Sequence, residues 1–365
     1  MRPVMIMAGG TGGHVFPALA VAKELRQRGV PIVWVGTANG IEADLVPAAG
    51  LRLIHMHIQG LRGKGKLSLL KAPFLLARAM AEAFVIVLRE RPQALLGMGG
   101  FVAGPCALAA SLLRMPLVIH EQNATIGLTN RLLAPFAKTF FSGFDLTQSN
   151  AKAVHCGNPV RSEMLSLASP DERYANRTEA RRILIIGGSL GARGLNQLLP
   201  MSLSAVEQAQ TLEIWHQTGK QQSEEVRRVY KENGLQARVT TFIDDMAAAY
   251  AWADLLICRS GAMTLAEIAS VGLPAILVPY PYAVDDHQTS NANSFVRIGA
   301  AYLIQERDTT VEQMTALLSQ LLSKPEQLLA MANAAYSLRR ADAVTILADS
   351  CQQKGCLPAS SGDLD

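Results

Sequence analysis

The chain has 365 residues, 49% hydrophobic and 18% charged, enough for two buried cores of roughly 150–200 residues and too apolar for a disordered protein. A formal net charge of +4 is too small to imply a nucleic-acid partner. Five scattered cysteines (Cys106, Cys156, Cys258, Cys351, Cys356), with no CxxC pair, indicate neither a disulfide framework nor a zinc site and read as reduced thiols.

The first predicted strand, Val4–Ala8, stops at Gly9-Gly10 after five apolar residues. A secretory h-region needs about 7–15, so no signal peptide is expected. Further strands are predicted at Ile32–Val35, Leu51–His57, Ala94–Met98 and Leu117–His120, with helices beginning near Val15, Ile41, Leu67, Ala103 and Ile126. Leu67–Leu88 is interrupted by Lys71, Pro73, Arg78 and Glu82, and no apolar run approaches the ~20 residues of a membrane span. From Leu45 to Ala81 there are six basic residues (Arg52, Arg62, Lys64, Lys66, Lys71, Arg78) and no carboxylate.

The second half repeats the plan. Strands are predicted at Ile183–Ile186, Glu213–His216, Arg238–Phe242, Leu255–Cys258 and Ala275–Val278, with helices near Leu195, Glu224, Asp245, Thr264 and His287. Strand, glycine turn and helix start open both halves, at residues 4–14 and 182–194. Two Rossmann-like α/β domains of parallel strands, 1–160 and 161–340, explain the repetition. Pro159 and the polar stretch Ser166–Arg181 mark the join. A last helix, 341–353, fits either domain, and Gly355–Asp365 reads as a polar tail.

Glycines at a strand-to-helix turn let backbone approach a phosphate at the positive end of a helix. The same glycines also serve plain helix–sheet packing. A dinucleotide site needs G-x-G-x-x-G and an acid ending the second strand, and neither half has them: the second strands end in Trp34-Val35-Gly36-Thr37 and Trp215-His216-Gln217-Thr218. The Walker A lysine is missing too. In residues 258–292, Ser260 and the N–H groups after it can take a pyrophosphate, Glu267 can accept ribose hydroxyls, and Asp285-Asp286-His287-Gln288 can bond sugar hydroxyls. That order at successive strand ends points to a nucleotide sugar.

The segments MAGGTGGHVFPALAVA, GLRGKG, GMGGFVAGP, HEQN, GNPVR, GGSLGARGLN, FIDDMAAAYAWAD and CRSGAMTLAE together resemble the MurG family of glycosyltransferase family 28. The resemblance implies the GT-B fold, two doubly wound domains facing a cleft. It implies transfer of N-acetylglucosamine from UDP-GlcNAc to lipid I (undecaprenyl-pyrophosphoryl-MurNAc-pentapeptide), giving lipid II. Carried over by position, Thr11, Gly12, Gly13 and Asn123 meet the donor sugar, and Arg161 and Ser189 the UDP portion. The Ile243 backbone reads the uracil edge. Ala262, Met263, Thr264, Leu265, Ala266 and Glu267 hold diphosphate and ribose, and Gln288 the GlcNAc hydroxyls. The implied partners are the two substrates, an anionic membrane surface at the cytoplasmic face of the inner membrane, and other cell-wall or division proteins. No nucleic acid, cofactor or metal is expected.

An inverting displacement needs one base for the acceptor 4-hydroxyl and stabilisation of departing UDP. His14 is the expected base, because a helix N-terminus disfavours its imidazolium. The plainer role is a histidine that only caps the helix or contacts phosphate, and His120 and Glu121 are reserve bases. Arg259 joins Arg161 as a cation for the diphosphate. Two alternatives remain at this level: a related GT-B enzyme glycosylating another membrane lipid such as diacylglycerol, and a non-catalytic scaffold. The bases and apolar residues of 45–81 (Leu69, Leu70, Phe74, Leu75, Leu76) form either a membrane-docking surface or the core face of an ordinary helix.

Overall fold

A computed structural model describes residues 1–58, 66–146, 152–175, 177, 181–188 and 191–352, and of 66–72 and 284 the backbone alone. The chain divides into two compact units, Met1–Val160 with the segment from Ala341, and Arg161–Arg340.

The first unit alternates strand and helix: β1 (Val4–Met7), α1 (Gly12–Gln27), β2 (Ile32–Gly36), α2 (Glu42–Ala48), β3 (Arg52–His55), α3 (Lys66–Glu90), β4 (Ala94–Gly97), α4 (Ala103–Leu112), β5 (Leu117–Glu121), α5 (Leu128–Leu133), β6 (Thr139–Ser142) and β7 (Val154–His155). All its strand pairs are parallel, in the order β3-β2-β1-β4-β5-β6-β7. Helices cover both faces, so β1 is buried throughout and its sequence is a continuous apolar run. Val4 and Ile6 pack with Ala18, Val21 and Leu25 of α1, while Met5 and Met7 pack with Ala83 and Val87 of α3 and Cys106 of α4.

The second unit runs α6 (Ser162–Leu165), α7 (Pro170–Tyr174), β8 (Arg182–Ile186), α8 (Arg193–Ser204), β9 (Glu213–Gln217), α9 (Ser223–Glu232), β10 (Ala237–Thr240), α10 (Met246–Trp252), β11 (Leu255–Cys258), α11 (Ala262–Val271), β12 (Ala275–Leu277), α12 (His287–Val296), β13 (Ala301–Leu303), α13 (Val311–Leu322) and α14 (Pro325–Ser337). Its sheet is parallel, in the order β10-β9-β8-β11-β12-β13. A final helix, α15 (Ala343–Gln352), returns to the first unit. Its Leu347, Ala348 and Cys351 join the core beside α1, and Asp349 pairs with Arg28 at 2.5 Å.

The described residues of the polar stretch from Ser166 pack on the second unit. Tyr174 is buried and donates to the Asp254 carbonyl (2.6 Å), Arg177 pairs with Asp254 (2.5 Å), and Arg173 donates to the Val271 carbonyl (2.6 Å) at the end of α11. The segment braces β11 and α11 from outside, with its charges satisfied on backbone carbonyls. Among the described residues, no helix is long and apolar enough to cross a membrane.

Candidate active site

β1 lies between β2 and β4, and β8 between β9 and β11, so in each sheet the order in which strands are added reverses at the first strand. Helices diverge at such a point and leave a crevice beyond the C-terminal ends of the strands. Met7 stands opposite Gly97, so the loops Gly9–His14 and Gly97–Gly100 leave the first sheet side by side. Ile186 stands opposite Cys258, which does the same for the loops after β8 and β11.

In the first unit, Thr11 is the exposed N-cap of α1, followed by Gly12, Gly13 and the half-buried His14. The Thr11 carbonyl accepts from the N–H groups of His14 and Val15 (both 3.1 Å), and Thr11 Oγ1 lies 3.5 Å from His14 Nδ1. Gly99, at φ +97°, lets the backbone run against the imidazole: a Cβ there would fall 2.7 Å from His14 Cδ2 and 2.9 Å from Nε2. The two glycine loops also interlock, since a Cβ on Gly100 would fall 2.6 Å from the Gly9 carbonyl oxygen.

The reserve bases sit differently. His120 is fully buried and its Nε2–H donates to the Gly157 carbonyl at 2.9 Å. Glu121 is buried too. Its Oε1 accepts from the Asn123 N–H (3.1 Å) and side-chain amide (3.2 Å), and its Oε2 from the Gly127 N–H (2.9 Å) and Asn130 Nδ2 (2.9 Å). A carboxylate with four donors shapes the loop that carries Asn123 and has no lone pair aimed at a substrate. Both side chains thus serve the packing of their own loops.

The buried histidines give a pH prediction. Burial pushes His120 down to about 4, the Gly157 carbonyl offsetting part of this, and burial pushes His216 of β9 down to about 3. Unfolded histidine titrates near ~6.5, so below that the unfolded chain binds protons that the native sites refuse. Stability from both groups is full above that pH and is lost as pH falls toward the folded values. Thermal midpoints are expected to drop by several degrees between about pH 6.5 and 5, where ordinary carboxylates stay ionised. Flat midpoints across that window in a calorimetric titration contradict the assignment.

In the second unit, Gly187 and Gly188 leave β8 and are bracketed by Gln217, which accepts from the Gly187 N–H (3.1 Å) and donates to the Gly188 carbonyl (2.9 Å). Ser189 lies outside the described residues. Ile243 buries its side chain in the connection between β10 and α10, outside any strand or helix. Ala262–Glu267 form the first turns of α11, with Gly261 as N-cap and no side chain capping it. Glu267 is braced from two sides: Tyr250 of α10 donates its O–H to Oε2 at 3.1 Å, and Arg161 Nη2 reaches Oε1 at 3.1 Å. Burial pushes the Glu267 carboxyl up, with Arg161 and Tyr250 opposing. Gln288 accepts from the Tyr280 N–H through Oε1 (2.9 Å). Just before it, Asp285 and Asp286 stand at φ +53° and +47°, a left-handed pair that sets the start of α12.

Two assignments from the sequence change. Ser260 is fully buried and its hydroxyl donates to the Gln288 carbonyl (2.9 Å), so the α11 N–H groups, not this hydroxyl, face an anion. Arg259 is committed to Glu306 and to the carbonyls of Val278 (3.1 Å) and Pro279 (3.0 Å), which removes it as a diphosphate ligand. Tyr250 was missed, because an aromatic in an apolar helix reads as core. The usable signal is that a buried phenol needs a partner.

The family model described as glycosyltransferase family 28 N-terminal domain matches residues 4–142, and the family 28 C-terminal domain model matches residues 182–347. A UDP-N-acetylglucosamine--N-acetylmuramyl-(pentapeptide) pyrophosphoryl-undecaprenol N-acetylglucosamine transferase of Alkalilimnicola ehrlichii is 48% identical over 96% of this chain and 99% of its own. The protein of the same name from Azotobacter vinelandii is 50% identical over 95% and 97%. A crystal structure of MurG from Acinetobacter baumannii superposes with a TM-score of 0.84 at 39% identity, covering 96% of this chain and 99% of that one. The fold class is GT-B, with two Rossmann-like parallel sheets. The chain therefore belongs to glycosyltransferase family 28 and, within it, to the MurG family.

Proposed function

We propose that the chain transfers N-acetylglucosamine from UDP-GlcNAc to the MurNAc 4-hydroxyl of lipid I, with inversion, giving lipid II and UDP in peptidoglycan synthesis. The observation that carries this is the Glu267 carboxylate, braced by Tyr250 and Arg161 at a sheet switch point, in a chain alike over nearly its whole length to transferases of that name. Glu267 accepts the two ribose hydroxyls. Free N–H groups at the start of α11 meet the diphosphate and take up its charge as the glycosidic bond breaks. The Gln288 amide donates to sugar hydroxyl oxygens. His14 takes the proton of the acceptor hydroxyl as oxygen attacks the anomeric carbon. UDP release with a soluble lipid I analogue, and none with diacylglycerol, is the expected result. The reverse pattern moves the chain to the diacylglycerol transferases.

The acceptor lipid places the enzyme against a membrane as a peripheral protein. α3 buries Ala79, Ala83, Ile86 and Val87, while Phe74, Leu75 and Leu76 remain 75%, 44% and 51% exposed, with Arg78 exposed beside them. Their exposure supports a docking surface over a core face. Arg62 and Lys64 lie outside the described residues, as do the side chains of Lys66, Leu69, Leu70 and Lys71. Combining Phe74→Ser, Leu76→Ser and Arg78→Glu is expected to reduce cosedimentation with anionic liposomes about tenfold or more. Activity on a short-chain soluble acceptor is expected to survive. Equal losses on both acceptors count against docking at this surface.

A further inference from the structure

We infer that Glu42 is a positioning residue for the glycine loop that carries His14. Glu42 opens α2 and is fully buried. Its Oε2 accepts from the Gly10 N–H at 3.0 Å, and its Oε1 accepts from the Thr37 N–H at 2.9 Å and the Thr37 hydroxyl at 2.8 Å. An acid in the first turn of a helix is ordinarily a solvated partner of the helix dipole. This one instead points away from water, into the turn after β1 and the end of β2.

The space it fills is built by glycine. A Cβ on Gly9 would fall 2.5 Å from Glu42 Oε1, one on Gly36 would fall 2.7 Å from its Cγ, and one on Gly40 would overlap its Oε2. Three backbone segments thus stand back to admit one carboxylate. Burial alone would push this carboxyl up, but the bonds from Thr37 and Gly10 outweigh it and hold it below the usual range, so it stays ionised. Charge-assisted bonds to backbone N–H groups are stronger than neutral ones. Gly10, at φ +92°, is the residue from which the loop turns toward Thr11 and His14. On the other side Gly100 packs against the Gly9 carbonyl. The loop is therefore held between the Gly97–Gly100 turn and the Glu42 carboxylate, and the latter sets where Thr11 and His14 stand.

The inference rests on the catalytic reading of the His14 loop. Glu42→Gln keeps the shape but has one acceptor oxygen, which cannot serve Gly10 and Thr37 together. Gly40→Ala keeps the carboxylate and drives a methyl group onto Oε2. Both variants are expected to lower kcat on a soluble acceptor about 10- to 100-fold, the range for a misplaced base. UDP affinity by calorimetry is expected to stay within about twofold, because the residues assigned to UDP belong to the second unit. If kcat stays within about threefold in both, or if kcat and UDP affinity fall together, the inference is overturned. Should Glu42→Gln fail to fold, Gly40→Ala decides. His14→Ala measured alongside separates the two readings. If it is silent, the catalytic reading of the loop fails and takes this inference with it. If it is impaired while both other variants are normal, Glu42 alone is wrong.

Discussion

Glu267→Ala is expected to weaken UDP-GlcNAc binding by roughly 2–4 kcal/mol, a loss of about 30- to 1,000-fold in affinity. The size follows from what is left behind. Glu267 is 15% exposed, and the ribose hydroxyls proposed to donate to it would become desolvated donors with no partner once the carboxylate is gone. The same change also strips Tyr250 and Arg161 of their acceptor, so part of any loss is structural. Tyr250→Phe separates the parts: it keeps the ring and the carboxylate and removes one brace. It is expected to weaken donor binding by about 1 kcal/mol, the typical value of a single hydrogen bond. Isothermal titration with UDP and with uracil alone then gives the assignment. Full UDP affinity in a folded Glu267→Ala protein rules out the ribose role.

With His14→Ala, turnover is expected to fall about 100-fold or more while UDP-GlcNAc affinity stays near wild type. The reason is geometric. The imidazole stands at the switch point of the first sheet, where the loop after β4 supplies Gly99 and its backbone runs against the ring. The two reserve bases are occupied, His120 by the Gly157 carbonyl and Glu121 by four donors. A base removed without a substitute lowers kcat and kcat/KM equally and leaves ground-state binding alone. A rate within a few-fold of wild type in single-turnover assays places the base elsewhere. A fall in donor affinity to match the rate identifies His14 as a donor contact instead.

The alternation of buried apolar runs with helical stretches was sufficient, from residues alone, for two parallel α/β domains, because a strand covered on both faces must be apolar at every position. It failed where burial is partial or elements are short. β6 (Thr139–Ser142), the two-residue β7 and β13 lie at or near sheet edges, and their sequences carry too few apolar residues to stand out. Ser166–Arg181 marks the join by its polar composition, and only the structure shows that Arg173 and Arg177 are spent on carbonyls and Asp254 of the second unit.

The glycine loops, His14, Glu267 and Gln288 were legible in the chain as residue types at strand ends, since a strand–turn–helix order places them at the ligand edge of a parallel sheet whatever the packing. Tertiary structure alone decided which polar side chains are free to act. Ser260, Arg259, His120 and Glu121 have the right chemistry and the right position along the chain, and each is already bonded inside the protein. Glu42 shows the converse, a carboxylate that sequence places on an ordinary helix start and folding places under the glycine loop that carries His14. Partners of this kind lie 32 residues apart for Glu42 and Gly10 and 106 for Arg161 and Glu267. No local pattern encodes such pairs, because the hydrogen bonds exist only once the sheet order has brought distant strand ends together.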